Sequence, residues 1–242
     1  MSQIRGEKRV EFGENISIVK YEKYGLSFEV IVDVKKAWEY KTGKETDPTE
    51  VLQTFVIYEN ARRGEKASEE NMQKIFGTTD PLEIAKVILK KGELHLTTEQ
   101  RRELLEQKKK KIINILARTC VNPQTGLPHP PTRIENAMEE AKVQVDLWRS
   151  AEEQVKDVLK RIQSVIPIKM ETLRVAVKFP PEYAGKGYNI LERFGRIIRE
   201  EWQSDGSWIA MIEIPGGVKG QLLNVINTAT KGKAQIKFLQ KT

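Results

Sequence analysis

The chain has very few of the side chains on which metal sites and nucleophilic catalysis depend. Its 242 residues include one cysteine and two histidines. A single cysteine can form neither an internal disulfide nor a paired-cysteine zinc site, so we expect a reducing, cytoplasmic setting and no metal or other cofactor. No apolar run reaches the roughly 20 residues that a membrane-spanning helix needs, and the N-terminal stretch lacks the apolar core of a signal peptide. We therefore expect no membrane partner and no secretion.

Catalytic motifs are also missing from the sequence. There is no G-x-x-x-x-G-K-[ST] loop, so nucleotide hydrolysis would have to come from a partner protein. His95 and His129 have no evident partner for acid–base chemistry. Carboxylates such as Glu139 and Glu140 point apart because they are adjacent on a predicted helix. These absences agree with a protein that is not an enzyme.

Positive charge is what the chain has in excess. The formal net charge is +7 and the isoelectric point is about 9.3. The excess is uneven: residues 1–95 carry a net charge of −1, residues 96–168 carry +3 and residues 169–242 carry +5. A basic chain of this kind is expected to bind an acidic partner, and nucleic acid is the leading candidate.

The hydrophobic pattern predicts an α+β protein with three domains. Residues 1–95 mix short strands and helices and begin with a hairpin that turns near Gly25. Residues 96–168 have the apolar stripes of a three-helix bundle. Residues 169–242 alternate in the order β-α-β-β-α-β, with a hairpin at Asp205-Gly206, which is typical of a ferredoxin-like domain.

Capping boxes mark where the helices of the bundle begin. Thr97-x-x-Gln100 and Thr132-x-x-Glu135 each offer a side chain to an orphan backbone N–H at a helix start. An apolar stripe from Ile134 to Trp148 predicts that the second helix extends through Trp148.

The stretch CVNPQTGLPHPPTRIE, residues 120–135, contains the only cysteine and four of the ten prolines. Cys120 lies one helical turn after Leu116, so we expect its thiol to face the core. The prolines restrict the backbone of the segment and bias it away from helix. We interpret the segment as a stiff connection between two helices and not as a reactive site.

Four blocks of the sequence resemble the Shwachman–Bodian–Diamond syndrome (SBDS) protein family of ribosome maturation factors. The blocks are NISIVKYEKYGLSFEV, EVLQTFVIYENARRGEKAS, FGTTDPLEIAKVILKKGELHLT and CVNPQTGLPHPPTRIENAM. The likeness extends over essentially the whole chain and is densest in residues 15–140. The short chain, which has no C-terminal extension, resembles archaeal members of the family.

The resemblance implies a specific role for the protein. Family members are non-enzymatic and bind the large ribosomal subunit, where the N-terminal domain contacts rRNA. In eukaryotes they act with an elongation-factor-like GTPase to release the anti-association translation initiation factor 6. The family's Lys-Gly element corresponds here to Arg63-Gly64, but Ser68-Glu69 replaces the lysine pair of eukaryotic members. We expect a monomer with the same partners.

The candidate RNA-binding residues are cations of the N-terminal arm, of predicted loops and of element ends. They are Arg5, Lys8, Arg9, Lys20, Lys23, Arg62, Arg63, Lys66, Arg133, Lys231 and Lys233. Residues 108–111 are four consecutive lysines, which either contact rRNA or form a solvated helix face. They cannot share one face of a helix, so at least one aliphatic stem must lie against the protein.

A second function remains open from the sequence. The chain is also compatible with an RNA-processing factor or an accessory subunit of an RNA-degrading complex. An enzyme of that class needs clustered carboxylates for metal or a histidine-centred acid–base pair. RNA cleavage in the presence of a divalent metal distinguishes the two hypotheses.

Overall fold

The computed structural model of the protein describes residues 13–44 and 46–239. The predicted arm contacts Arg5, Lys8 and Arg9 lie outside the described residues. Contacts group the described residues into two compact units. One contains the residues up to Lys108 together with Asp146–Ser150, and the other contains Lys109–Val145 and the residues from Ala151 onward. The predicted domain boundaries after residues 95 and 168 stay a prediction.

The first unit is a five-stranded antiparallel sheet with helices, and its strand order is β4-β3-β2-β1-β5. The elements are β1 (Ile16–Lys23), β2 (Leu26–Asp33), α1 (Val34–Lys41), α2 (Pro48–Val51), β3 (Tyr58–Asn60), β4 (Glu65–Lys66), α3 (Glu69–Phe76), α4 (Pro81–Lys91), β5 (Glu93–His95) and the start of α5 (Thr98–Thr119).

Alternation along the strands fixes which side of this sheet is buried. Phe28, Val30 and Val32 of β2 are almost fully buried and pack with Ile84 and Ile88 of α4. Neighbouring side chains of a strand point to opposite faces, so the residues between them lie on the other face. The predicted hairpin is confirmed, because β1 and β2 pair from Ile16–Asp33 to Lys23–Leu26.

The start of α5 is fixed by its capping box. The backbone N–H of Gln100 donates to Thr97 Oγ1 at 3.2 Å, and the backbone N–H of Thr97 donates to Gln100 Oε1 at 3.0 Å. This reciprocal pair satisfies two backbone groups that a helix start otherwise leaves unpaired. The prediction at this position is confirmed.

A buried lysine joins three segments of the first unit. Lys108 of α5 is only 3% exposed, and its ammonium group lies 4.6 Å from the ring centroid of Trp38 on α1. Lys108 Nζ also donates to the carbonyl of Arg149. Trp38 Nε1 in turn donates to the carbonyl of Leu147 at 2.9 Å. Residues 146–150 are therefore held against α1 and α5.

The second unit combines helices with a four-stranded antiparallel sheet. Its elements are the rest of α5, β6 (Cys120–Val121), α6 (Pro131–Glu140), α7 (Ala151–Ile162), β7 (Lys169–Met170), β8 (Thr172–Phe179), α8 (Pro181–Glu192), β9 (Arg196–Trp202), β10 (Trp208–Pro215), a 3-10 turn (Gly216–Val218), α9 (Lys219–Thr230) and β11 (Gln235–Leu239). Of the helices in the described ranges, none is both long and apolar enough to cross a membrane.

The predicted βαββαβ domain is confirmed. The sheet order is β11-β8-β10-β9, and all pairs are antiparallel. The turn between β9 and β10 includes Gly206, whose φ of +80° favours glycine. Phe179, Trp208 and Leu222 are buried between the sheet and its helices. The α+β class predicted from the sequence is therefore also confirmed.

The predicted second helix of the bundle is too long. α6 ends at Glu140, and Lys142 adopts φ +48°. The backbone N–H of Val143 then donates to the carbonyl of Met138 at 2.9 Å, which closes the helix with a Schellman motif. The residue that ends such a helix is usually glycine, so a lysine there gave no signal in the sequence. The predicted box at Thr132 is also wrong, because Pro130 is the N-cap and forms no side-chain cap.

The connection at residues 120–135 has the expected properties. Cys120 is fully buried, and burial raises the pKa of its thiol above the usual value. His129 is buried as well, and its Nε2 lies 2.9 Å from the carbonyl oxygen of Pro167. Neither side chain is placed as a solvent-accessible nucleophile or base, so the structural interpretation of the segment holds.

Two glycines near the start of α9 form a matched pair for a stability test. A Cβ at Gly217 would lie 2.1 Å from the carbonyl oxygen of Ala117, whereas a Cβ at Gly220 would meet nothing within 4 Å. Gly217→Ala should therefore lose about 2 kcal/mol of unfolding free energy through overpacking. Gly220→Ala should gain about 0.5–1 kcal/mol, because alanine is the better helix former. Thermal unfolding followed by circular dichroism checks both, and shifts in the same direction would contradict the packing.

The thiol of Cys120 should be unreactive in the folded protein. Because its pKa is raised, the thiolate fraction near pH 8 is small, and burial blocks the reagent. Labelling by an aromatic disulfide reagent should be on the order of 100-fold slower than in protein unfolded by urea, since reaction requires opening of the structure. The Cys120→Ala variant supplies the zero-labelling baseline. Labelling of the native protein at the unfolded rate would restore the reactive-site hypothesis.

Candidate nucleic-acid interface

A row of polar side chains crosses the open face of the first unit's sheet. Pairing places Lys66 opposite Tyr58, Tyr58 opposite Glu29, Glu29 opposite Lys20, and Lys20 opposite Glu93. Directly paired residues project to the same face of a sheet, so all five side chains lie on the face opposite Phe28 and Val30. Two of the predicted RNA-binding residues are therefore brought onto one surface.

The turn between β3 and β4 presents further cations beside this row. Gly64 adopts φ +71°, a conformation that favours glycine. The backbone N–H of Arg63 donates to Asn60 Oδ1 at 3.1 Å, and the backbone N–H of Ala61 donates to Glu29 Oε2 at 2.8 Å. The turn is thus fixed at both ends by side chains, so the positions of its arginines are defined by the fold.

The cations of this turn point into solvent. Arg62, Arg63 and Lys66 are all exposed. Within the described part of the chain, neither Arg62 nor Lys66 has an acidic side chain within ion-pair distance. A cation that forms no ion pair within its own chain can bind a phosphate without the loss of an internal contact.

Two other predicted contacts are already neutralised by carboxylates. Lys20 Nζ lies 2.6 Å from Glu22 Oε1, and this hydrogen bond raises the pKa of the lysine. Lys233 Nζ lies 2.6 Å from Glu182 Oε1, which raises the pKa of Lys233 in the same way. Both ammonium groups stay charged at neutral pH, but each would exchange a carboxylate for a phosphate on binding RNA.

The remaining predicted contacts are dispersed. Lys23 ends β1 and lies on the opposite face of the sheet from Lys20, because the two are an odd number of residues apart. Arg133 is exposed in the first turn of α6. Lys231 is exposed at the C-terminal cap of α9, where it adopts φ +52°. Arg133, Lys231 and Lys233 belong to the second unit.

Three of the four consecutive lysines contact other residues of the same chain. The sequence predicts that at least one of the four lysines has its aliphatic stem against the protein, and the structure shows that this residue is Lys108. Lys109 Nζ lies 2.9 Å from Glu139 Oε1 and 3.4 Å from Glu135 Oε1. Lys111 Nζ lies 3.1 Å from Glu152 Oε1. A solvated face is therefore wrong for Lys108, which packs on an aromatic ring.

A groove adjoins Arg62 within the first unit. Its volume is about 930 Å³, and the residues that line it include Arg62, His95, Glu14, Glu99 and Glu103. Three acidic residues in its lining disfavour a phosphate inside the groove, and Arg62 is the arginine among its lining residues. No cluster of side chains suited to a metal ion occurs among residues 13–44 and 46–239.

One exposed aromatic residue was missed by the sequence reasoning. Tyr24 lies at the tip of the β1–β2 hairpin and is 84% exposed. The signal available in the sequence was a tyrosine directly before the turn glycine in EKYGL, where a small polar residue is usual.

Comparison with known proteins assigns the same family to all three parts of the chain. The family description "Shwachman-Bodian-Diamond syndrome (SBDS) N-terminal domain" matches residues 15–102. "SBDS protein, domain II" matches residues 110–171, and "SBDS protein, C-terminal domain" matches residues 173–241.

Individual relatives match over nearly their full length. The ribosome maturation protein SDO1 homolog of Methanothermobacter thermautotrophicus is 47% identical over 228 residues, which cover 94% of this chain and 98% of the relative. The protein of the same name from Aeropyrum pernix is 41% identical over 213 residues, covering 88% and 91%. The ribosome maturation protein SBDS of Xenopus tropicalis is 32% identical over 229 residues, covering 93% and 90%.

Proposed function

The chain belongs to the SBDS family, and from that premise we propose that it is a cytoplasmic ribosome maturation factor that acts by binding and not by catalysis. The names of its relatives and the full-length similarity support the maturation role. The binding target that we propose is the large ribosomal subunit, with rRNA as the main ligand of the first unit. The observation that carries this target is the fixed turn with the exposed Arg62 and Lys66, which have no ion-pair partner among the described residues.

The geometry of the turn supports a phosphate ligand in two ways. Arg62 and Lys66 have no competing carboxylate within ion-pair distance among the described residues, so binding requires no internal ion pair to break. Gly64 has no side chain, and a Cβ there would meet nothing within 4 Å, so the backbone is open to close approach. Guanidinium and ammonium groups beside an open backbone are suited to a sugar–phosphate chain.

We further propose that binding promotes release of the anti-association translation initiation factor 6, together with an elongation-factor-like GTPase. The chain lacks a phosphate-binding loop of its own, so any dependence on GTP must come from that partner.

Neutralising Arg62 and Lys66 should weaken binding to large subunits. In the variant Arg62→Gln with Lys66→Gln, the slope of log affinity against log salt should fall by about 1.4 to 1.8, because each lost phosphate contact removes about 0.7 to 0.9. Pelleting with purified large subunits over a range of salt concentrations measures both affinity and slope.

Paired cations provide the controls for this experiment. Lys20→Gln and Lys233→Gln should change affinity less, because each removes a charge that a carboxylate already neutralises. An unchanged slope in the double variant would contradict the rRNA contact. An equal loss in Lys20→Gln would contradict the argument from pairing, and shortening of added RNA with a divalent metal would favour an RNA-processing role instead.

Release of factor 6 can be measured separately. Large subunits loaded with the labelled factor should lose it only when this protein, the GTPase and GTP are all present. Omission of each component in turn supplies the controls, and sedimentation separates bound from free factor. Retention of the factor under all conditions would remove the release step from the proposal and leave subunit binding unaffected.

A further inference from the structure

The tip of the β1–β2 hairpin exposes an aromatic ring that lies outside the hydrophobic core of the described residues. Tyr24 is the most exposed large hydrophobic side chain of the described residues, at 84%. It lies outside the core cluster of its unit, to which Tyr21 and Leu26 on either side of it contribute. Burial therefore gives no reason for a tyrosine at this position.

The backbone of the turn gives no reason for it either. Tyr24 and Gly25 form a two-residue turn with φ values of +52° and +76°, the pattern of a type I′ turn. The first position of such a turn favours Asn, Asp or Gly, because a Cβ in the left-handed region crowds the backbone. A tyrosine there costs about 1 kcal/mol or more of stability.

A cation accompanies the exposed ring. Lys23 Nζ lies 5.3 Å from the centroid of the Tyr24 ring. An accessible aromatic ring with an adjacent ammonium group is the combination with which proteins hold single-stranded nucleic acid: the base stacks on the ring and the cation contacts the backbone.

Strand spacings give the distance between the tip and Lys66 of the proposed rRNA contact. Lys20 and Lys66 are in the same cross-strand row, three strand spacings apart, which is about 14 Å. Tyr24 follows Lys20 by four residues along the hairpin, or about 13 Å. Lys66 is in the edge strand β4 and Tyr24 follows β1 of the same sheet, so the two sites are about 20 Å apart by the same spacings.

We propose that Tyr24 is a base-stacking residue for an unpaired base of rRNA, with Lys23 beside it as a backbone contact. This inference rests on the proposed function, since it takes rRNA as the ligand. It adds a stacking contact, which depends on an accessible base, to the phosphate contacts of Arg62 and Lys66. Double-stranded RNA, whose bases are already stacked, should not satisfy it.

The turn offers a variant that separates binding from stability. Tyr24→Asn removes the ring and supplies a residue that the type I′ turn favours, so the melting temperature should rise. The same variant should bind a labelled single-stranded 12-nucleotide oligoadenylate about 5- to 150-fold more weakly, the effect expected for one lost stacking contact. Tyr24→Phe keeps the ring and should bind within about twofold of the original protein. Fluorescence anisotropy measures the oligonucleotide, and pelleting measures large subunits.

The outcomes distinguish this inference from the proposed function. If Tyr24→Asn binds oligonucleotide and subunits like the original protein while Arg62→Gln with Lys66→Gln is weakened, the stacking role is overturned and the function stands. If Tyr24→Asn loses subunit binding but keeps the oligonucleotide, the tip contacts a ribosomal protein and the inference is wrong. If the original protein binds subunits without salt dependence and does not bind the oligonucleotide, both the rRNA contact and the stacking role fail. Equal weakening by Tyr24→Phe would also overturn stacking, since only the hydroxyl differs.

Discussion

The buried ammonium group of Lys108 is the constraint around which the first unit is arranged. A buried charge is destabilising by several kcal/mol unless the protein replaces its lost hydration. Here the face of Trp38 and the carbonyl of Arg149 provide that replacement. Trp38 must therefore stay on α1 opposite α5, and its own N–H must be satisfied by Leu147. One charge thus fixes a helix, a second helix and a loop that is distant in sequence.

Surface cations also differ in whether the protein already supplies them with a partner, and this decides how readily each can bind a phosphate. Lys20, Lys109 and Lys233 each have a carboxylate partner at 2.6 to 2.9 Å. Each such pair contributes little stability in water, but it lowers the gain from exchanging the carboxylate for a phosphate. Arg62 and Lys66 have no such competitor among the described residues. Pairing therefore makes Lys20, Lys109 and Lys233 weaker candidates, and the fixed conformation of the turn after β3 distinguishes Arg62 and Lys66 from other cations that have no ion pair among the described residues.

Sequence reasoning succeeded where a feature depends on nearby residues and failed where it depends on distant ones. The Thr97–Gln100 box, the hairpin at Gly25 and the βαββαβ order follow from local patterns, and the structure confirms them. The burial of Lys108 depends on Trp38, which is 70 positions away, so the hydrophobic pattern around Lys108 does not predict it. The end of α6 failed for another reason, because a lysine occupies the left-handed position that glycine usually marks. Of the candidate site, the sequence indicated the basic turn but not which cations are already paired.

Net charge is a poor guide to where a candidate RNA-binding site lies in this protein. Residues 1–95 carry a net charge of −1, and yet they contain the turn and the exposed tyrosine. At physiological salt a charge is screened beyond about 8 Å, so a phosphate at the turn responds to Arg62 and Lys66 and hardly to the basic residues elsewhere. Glu29 illustrates the point, because its carboxylate accepts the backbone N–H of Ala61 and so fixes the turn. An acidic residue in the row thus supports a basic contact, and an approximately neutral unit can present a local site for phosphate.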